Sequence, residues 1–166
     1  MKNKHCVVRT DLMSGVKNPD QLVSLRFYSS AQPAAVDNGI IAELEGYEDG
    51  QREVFKAKAA TSSSNLADCV LIASPEVMYD ERKKNLDDFV NEAGKIARGY
   101  RLVDRNVFSA TAEAFTTPPA VKGKVGIGEG GKMDSSTTGF GECVAIEEVG
   151  RYKYYTIKIT REGAGA

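Results

Sequence analysis

A chain of 166 residues, 42% hydrophobic and 27% charged, is long enough to bury a core and reads as one ordinary globular domain. Its 22 basic and 23 acidic residues nearly cancel, and no basic run exceeds Arg82-Lys83-Lys84, so the concentrated cationic footprint that nucleic-acid binding needs is missing. No apolar run approaches the roughly 20 residues of a transmembrane helix, and Arg9 and Asp11 interrupt what would have to be the apolar centre of a signal peptide; the expectation is a protein made in a cytoplasm, with no membrane partner.

The first 20 residues combine a short apolar patch, Cys6 to Val8 with Leu12 and Met13, and a loop marked by Gly15, Asn18 and Pro19. Such a segment buries too little locally to hold itself in place. Residues 1–20 are therefore expected to form an N-terminal arm outside the core, ordered by a partner, with Val7, Val8, Arg9, Leu12 and Met13 as its contact residues. Residues 21–162 are expected to form the single globular domain, and 163–166 a flexible tail. His5 beside Cys6 offers two metal ligands by type, but adjacent residues on a strand point to opposite faces, so no metal site is expected. Cys6, Cys69 and Cys143 are odd in number and far apart, with no C-x-x-C pair, which predicts free thiols.

Along the domain, "QLVSLRFYSS" alternates Val23, Leu25 and Phe27 with polar residues and reads as a strand with one buried face. Residues 39–47 and 51–60 flank "EDG": Ile40, Ala42 and Leu44 fall opposite Ile41, Glu43 and Glu45, and Asp49-Gly50 supplies the positive-φ turn of a hairpin. "CVLIA", closed by Pro75, is a short continuous apolar run of the kind buried on both faces. "PEVMYDERKKNLDDFVNEAGK" is the principal helix candidate, because Leu86, Phe89, Val90, Ala93, Ile96 and Ala97 keep three-four spacing and Gly94 suits a left-handed cap. Its acidic residues read as solvated surface. "KIARGYRLV" and "VFSATAEAF" around "DRN" suggest a second hairpin, "TPPAV" an edge or crossing, and "KGKVGIGEGG" a glycine-rich strand and turn. "GECVAIEEV" and "RYKYYTIKIT" read as two closing strands, the last with one apolar face.

The glycine-rich stretch at 126–142 is the closest thing to a chemical motif. Gly126, Gly128 and Gly131 fit G-x-G-x-x-G, and Gly126 to Lys132 lacks only the last residue of a P-loop. Phosphate loops work because a helix starts directly after them and presents free amides. Here "KMDSSTTGFGE" follows, a poor helix, with Met133 where a magnesium-binding hydroxyl is needed. About 35 residues remain, too few for further βα units. No nucleotide or other cofactor is expected. One histidine near the chain start, and no H-E-x-x-H or G-x-S-x-G, likewise give no catalytic constellation.

A set of landmarks runs through the middle of the chain: Asn38-Gly39 before a strand, Leu71 to Pro75, Asp88-Phe89, Glu92 to Gly94, then Arg98, Tyr100 and Leu102. Their succession over residues 22–115 resembles the capsid decoration, or cement, proteins of tailed bacteriophages; the arm and residues 123–142 lie outside it. The resemblance implies a non-enzymatic virion protein, made in the host bacterial cytoplasm, that binds the outside of an assembled capsid and reinforces it. It implies the major capsid protein as partner and a homo-oligomeric state. The alternatives are a tail-tube or head-tail connector subunit, a small ligand-binding β-barrel, and an enzyme using the 126–132 loop. The fold class expected is α+β, mainly β: antiparallel sheets or a small barrel, one principal helix and the N-terminal arm.

Overall fold

The computed structural model describes residues 2–13, 19–136 and 138–160. The first sheet is built from β1 (Leu22–Ser29), β2 (Gln32–Pro33), β3 (Ile41–Tyr47), β4 (Val54–Ala59), β5 (Cys69–Ile72) and β6 (Ala97–Arg101). β1 pairs with β4 in parallel and with β6 antiparallel, and β4–β3, β3–β5 and β5–β6 complete the circuit, so these strands close a barrel with β2 appended to β1. The alternation read in β1 sends Val23, Leu25 and Phe27 inward, where they meet Ala42, Ala57, Val70, Ile72 and Ala97. Small alanines between branched and aromatic side chains pack the narrow interior.

The second sheet contains β7 (Val107–Thr111), β8 (Phe115–Thr117), β9 (Lys124–Ile127), β10 (Met133–Ser135), β11 (Gly141–Val149) and β12 (Tyr152–Ile159), in the order β7-β12-β11-β9-β10-β8. Its two outer strands, β7 and β8, follow each other across the short turn Ala112–Ala114, which bends the sheet back on itself. The main core lies between sheet and barrel. Cys69, Leu71 and Ala73 point into it while Val70 and Ile72 point into the barrel, so the "CVLIA" run is buried on both faces as its composition predicts. Tyr155, Ile157 and Ile159 supply the apolar face of β12 to the same core.

Two glycines let the halves meet. Gly39 has φ +85°, and a Cβ there would stand 2.6 Å from Cys6 Sγ and 2.9 Å from Ala114 Cβ. Gly131 has φ +75°, and a Cβ there would stand 2.3 Å from the Ile41 carbonyl oxygen. The glycine-rich stretch is thus the β9–β10 hairpin, whose turn rests on β3 of the barrel.

Three expectations are corrected. No principal helix forms: among the described residues the helical pieces are single 3₁₀ turns, and residues 75–95 hold one of them, Leu86–Asp88. Side chains there compete for the backbone that a helix would need. Asp80 Oδ1 accepts the Arg82 amide at 3.0 Å, Asp88 Oδ2 accepts the amides of Lys84 and Asn85 at 3.3 and 3.2 Å, and Asn91 exchanges backbone hydrogen bonds with Val36. Gly94 does adopt a positive φ, but at the end of a loop.

The "DRN" turn exists, with Arg105 at φ 67°, yet it joins the barrel to the second sheet: β6 pairs with β1 and β5, and β7 with β12. The third correction concerns the arm. Cys6, Val7 and Val8 are buried, Val8 bridges Ala110, and the Arg9 amide donates to the Ser109 carbonyl at 2.9 Å, so residues 7–9 cover the otherwise open edge of β7. Asn3 donates twice to the Glu113 carboxylate at 3.0 Å, the Lys4 amide donates to Asp87 at 3.1 Å, and His5 meets Asp37 at 2.8 Å. The partners lie far along the chain, which is why local burial alone underrates the segment.

Candidate functional site

The contact residues read from the sequence separate in space. Val7 and Val8 are core. Arg9 is half-buried, bonded to Asp11 at 2.7 and 3.0 Å and placed over the Tyr154 ring at 5.6 Å from its centroid. Met13 packs against the main core, and of the five only Leu12, 56% exposed, presents an apolar side chain to solvent. Residues 14–18 and 163–166, parts of the expected arm and tail, lie outside the described residues.

The surface with the strongest physical signature is instead the loop between β5 and β6, residues 73–96. Its base is held by a buried polar network. Asn38 Nδ2 donates to the Ser74 carbonyl and Asn38 Oδ1 accepts from the Ser74 amide, each at 3.0 Å. Asn91 Nδ2 donates to Asn38 Oδ1 and to the Val36 carbonyl, also at 3.0 Å, and Ser74 Oγ accepts the Arg98 amide. The Asn38-Gly39 landmark is therefore a joint: Asn38 ties the loop to the barrel while Gly39 gives room for Cys6.

Farther out, Asp87 is buried and accepts from Arg151, from the Tyr152 hydroxyl at 3.0 Å and from the Lys4 amide, so the loop middle is fixed to the second sheet and to the chain start. Arg26 Nε donates to the Gly94 carbonyl at 3.0 Å and anchors the loop end. Against this rigid base the loop turns apolar side chains outward: Tyr79 is 94% exposed, Val77 59% and Ile96 56%. Together with Met78, Phe89 and Val90 they line a groove of about 710 Å³ between loop, β1 and β6. Exposed apolar side chains gathered around one groove make this loop the candidate contact surface. The residues that sequence reasoning assigned to a buried helix face include Phe89, Val90 and Ile96, so the periodicity found the right side chains and the wrong environment.

Beside this face, Glu76 is the one described side chain with an enclosed oxygen, Oε1, that has no hydrogen-bond partner. Burial lifts its carboxyl above the ordinary glutamate range, and the opposing pull of Asn38 and Thr10 is weaker. A raised folded value means that stability is fullest below the unfolded value of about 4.3 and is lost as pH rises through the folded one. Glu76→Gln should accordingly raise the melting temperature at pH 7, with the gain shrinking toward zero below about pH 4. A melting temperature unchanged across that range would show that the carboxylate is fully solvated.

The thiols agree with the reading of free cysteines: all three are unpaired and buried. Burial pushes the Cys6 thiol up to about 12 and the Cys69 thiol to about 11, and raises Cys143 as well. A thiolate-seeking reagent at pH 8 should leave the native protein unlabelled and label all three after denaturation. Fast labelling of the native protein at any one position would place that thiol on the surface.

The described residues contain no cluster of three or more His, Cys, Asp or Glu placed to hold a metal ion, and no helix among them is long and apolar enough to cross a membrane. No family model matches the chain and no curated protein matches it. Among solved structures, the head fiber gp8.5 N base of bacteriophage phi29 is similar at a TM-score of 0.46 with 12% sequence identity, over 84% of this chain and 93% of that one. At that distance nothing is carried over from it.

Proposed function

We propose that this chain is a structural virion protein of a tailed bacteriophage that attaches to the outside of the assembled capsid and reinforces it. The observation that supports this most is the loop face: Val77, Tyr79 and Ile96 stand in solvent on a loop fixed by Asn38, Ser74, Asn91 and Asp87. A surface ordered before it meets its partner loses little entropy on binding. The landmarks over residues 22–115 that resemble capsid decoration proteins point to the major capsid protein as that partner. A clamp bridging neighbouring shell subunits stabilises several contacts at once, because each further contact forms at high effective concentration.

The reading as a small ligand-binding barrel is disfavoured by the filled interior, where Val23, Leu25, Phe27, Val70 and Ile72 occupy the space a ligand would need. The role is contact, with no catalysis and no cofactor. The test is sedimentation of the protein with capsids stripped of their accessory proteins. Wild type should co-sediment, and Val77→Asp with Tyr79→Asp should lose at least tenfold in affinity without a change in melting temperature, as expected for central apolar anchors of an interface. Binding to tail tubes and not to capsids would favour the tail reading. Equal capsid binding by the double variant would remove the loop from the contact.

A further inference from the structure

The groove under the loop has a charge as well as an apolar floor. Lys83, Lys95 and Arg98 line it, and among the described residues none of them forms an ion pair. Of the two carboxylates there, Asp80 is bonded to Arg82 at 2.9 and 3.0 Å and also attracts Lys83, and Glu92 is the other opposing charge. In a protein of net charge −1 this is a local concentration of cations around Met78, Phe89 and Val90. Its complement is a protruding segment with carboxylates and an apolar tip.

The chain itself carries such a segment. The β11–β12 hairpin ends in Glu147, Glu148, Val149 and Gly150, all exposed, with Val149 at 46% and Gly150 at φ 60° turning the corner. The cations nearest to it have closer partners, although Arg9 also feels the charge of Glu147. Arg151 is bonded to Asp87, Arg9 is bonded to Asp11, and Lys153, opposite Glu148 in the ladder, has its ammonium 5.9 Å from the centroid of the Tyr155 ring. Glu147 and Glu148 form no ion pair among the described residues.

We infer that the β11–β12 hairpin tip of one copy docks in the loop groove of the next, with Val149 on the apolar floor and Glu147 and Glu148 against Lys83, Lys95 and Arg98. The inference rests on the reading of the loop face as a contact surface: the exposed rim residues Val77 and Tyr79 are left to the capsid, and the half-buried floor of Met78, Phe89 and Val90 takes the neighbouring copy. The contact is heterologous, since different surfaces of the two copies meet, and such contacts close into rings or extend into arrays. A single tip-in-groove contact is small and weak in solution. Ring closure, or an array on a shell, multiplies it through effective concentration.

Sedimentation velocity of the free protein, without capsids, tests this. Wild type should self-associate as its concentration rises, and less so at high salt. Groove reversal (Lys83→Glu, Lys95→Glu, Arg98→Glu) and tip reversal (Glu147→Lys, Glu148→Lys) should each raise the dissociation constant roughly a hundredfold, because like charges then face each other. The chain carrying both reversals should associate again. These side chains are on the surface, and circular dichroism and melting confirm that each variant is folded. Wild type that stays monomeric up to millimolar concentration, or single reversals that associate like wild type, would overturn the inference. Capsid binding that still depends on Val77 and Tyr79 would in that case leave the proposed function standing.

Discussion

Removal of residues 1–9 should destabilise the protein by about 3 kcal/mol or more, and Val8→Ala alone by about 2 kcal/mol. Full burial of a valine is worth about 1.5–3 kcal/mol, and Val7 and Val8 are 1% and 2% exposed. Against that stands the ordering of the segment, about 1–2 kcal/mol per residue, which its truncation returns to the chain. The balance is tipped by what truncation leaves behind. The edge of β7 loses the amide of Arg9 and the carbonyl of Val7, while Glu113 and Asp87 lose donors they accept from in a partly enclosed setting. Urea unfolding of the two variants measures both effects. A truncated protein within about 0.5 kcal/mol of full length would mean that the segment is a detached arm.

Gly131→Ala should be as damaging or more, at about 3 kcal/mol or beyond. Two penalties act together: an L side chain at φ +75°, and a Cβ only 2.3 Å from the Ile41 carbonyl oxygen, a backbone atom that cannot swing aside. The expected result is a large fall in melting temperature with loss of packing between the β9–β10 turn and β3. Gly130→Ala is the control: Gly130 has φ +66° but open space around it, so it should cost only the conformational part, about 1–2 kcal/mol. Equal effects at the two positions would show that the close approach of turn and barrel contributes nothing.

The strands were legible in the sequence wherever burial and pairing are local. Val23, Leu25 and Phe27 alternate into the barrel, the hairpin around Asp49-Gly50 closes β3 on β4, and the run from Cys69 to Ala73 is buried on both faces. The free thiols and the turn nature of the glycine-rich stretch were legible too, from spacing and from the lack of a following helix. What escaped the reading depends on distant partners. The worth of Val8 is set by Ala110, and the pairing of β6 and β7 by which sheet each strand joins.

The loop at 73–96 escaped for a different reason. The spacing of Leu86, Phe89 and Val90 is helical, but Asp80 and Asp88 capture backbone groups locally, Asn91 is drawn to the distant Val36, and the buried Asn38–Ser74 pair fixes where the loop begins. Of the candidate contact surface, only its charged, solvated residues were visible beforehand. That Tyr79, Val77 and Ile96 face solvent while Asp87 is buried follows from Arg151 and Tyr152, more than 60 positions away.

The proposed contact with a phage capsid is this loop face. Electron cryomicroscopy of capsids saturated with the protein tests it most directly. The result expected is density for the barrel and second sheet outside the shell, with residues 77–96 in the contacts that the protein makes. Density with this loop facing solvent and another surface bound, or capsids that remain bare while the protein decorates tails, would contradict it.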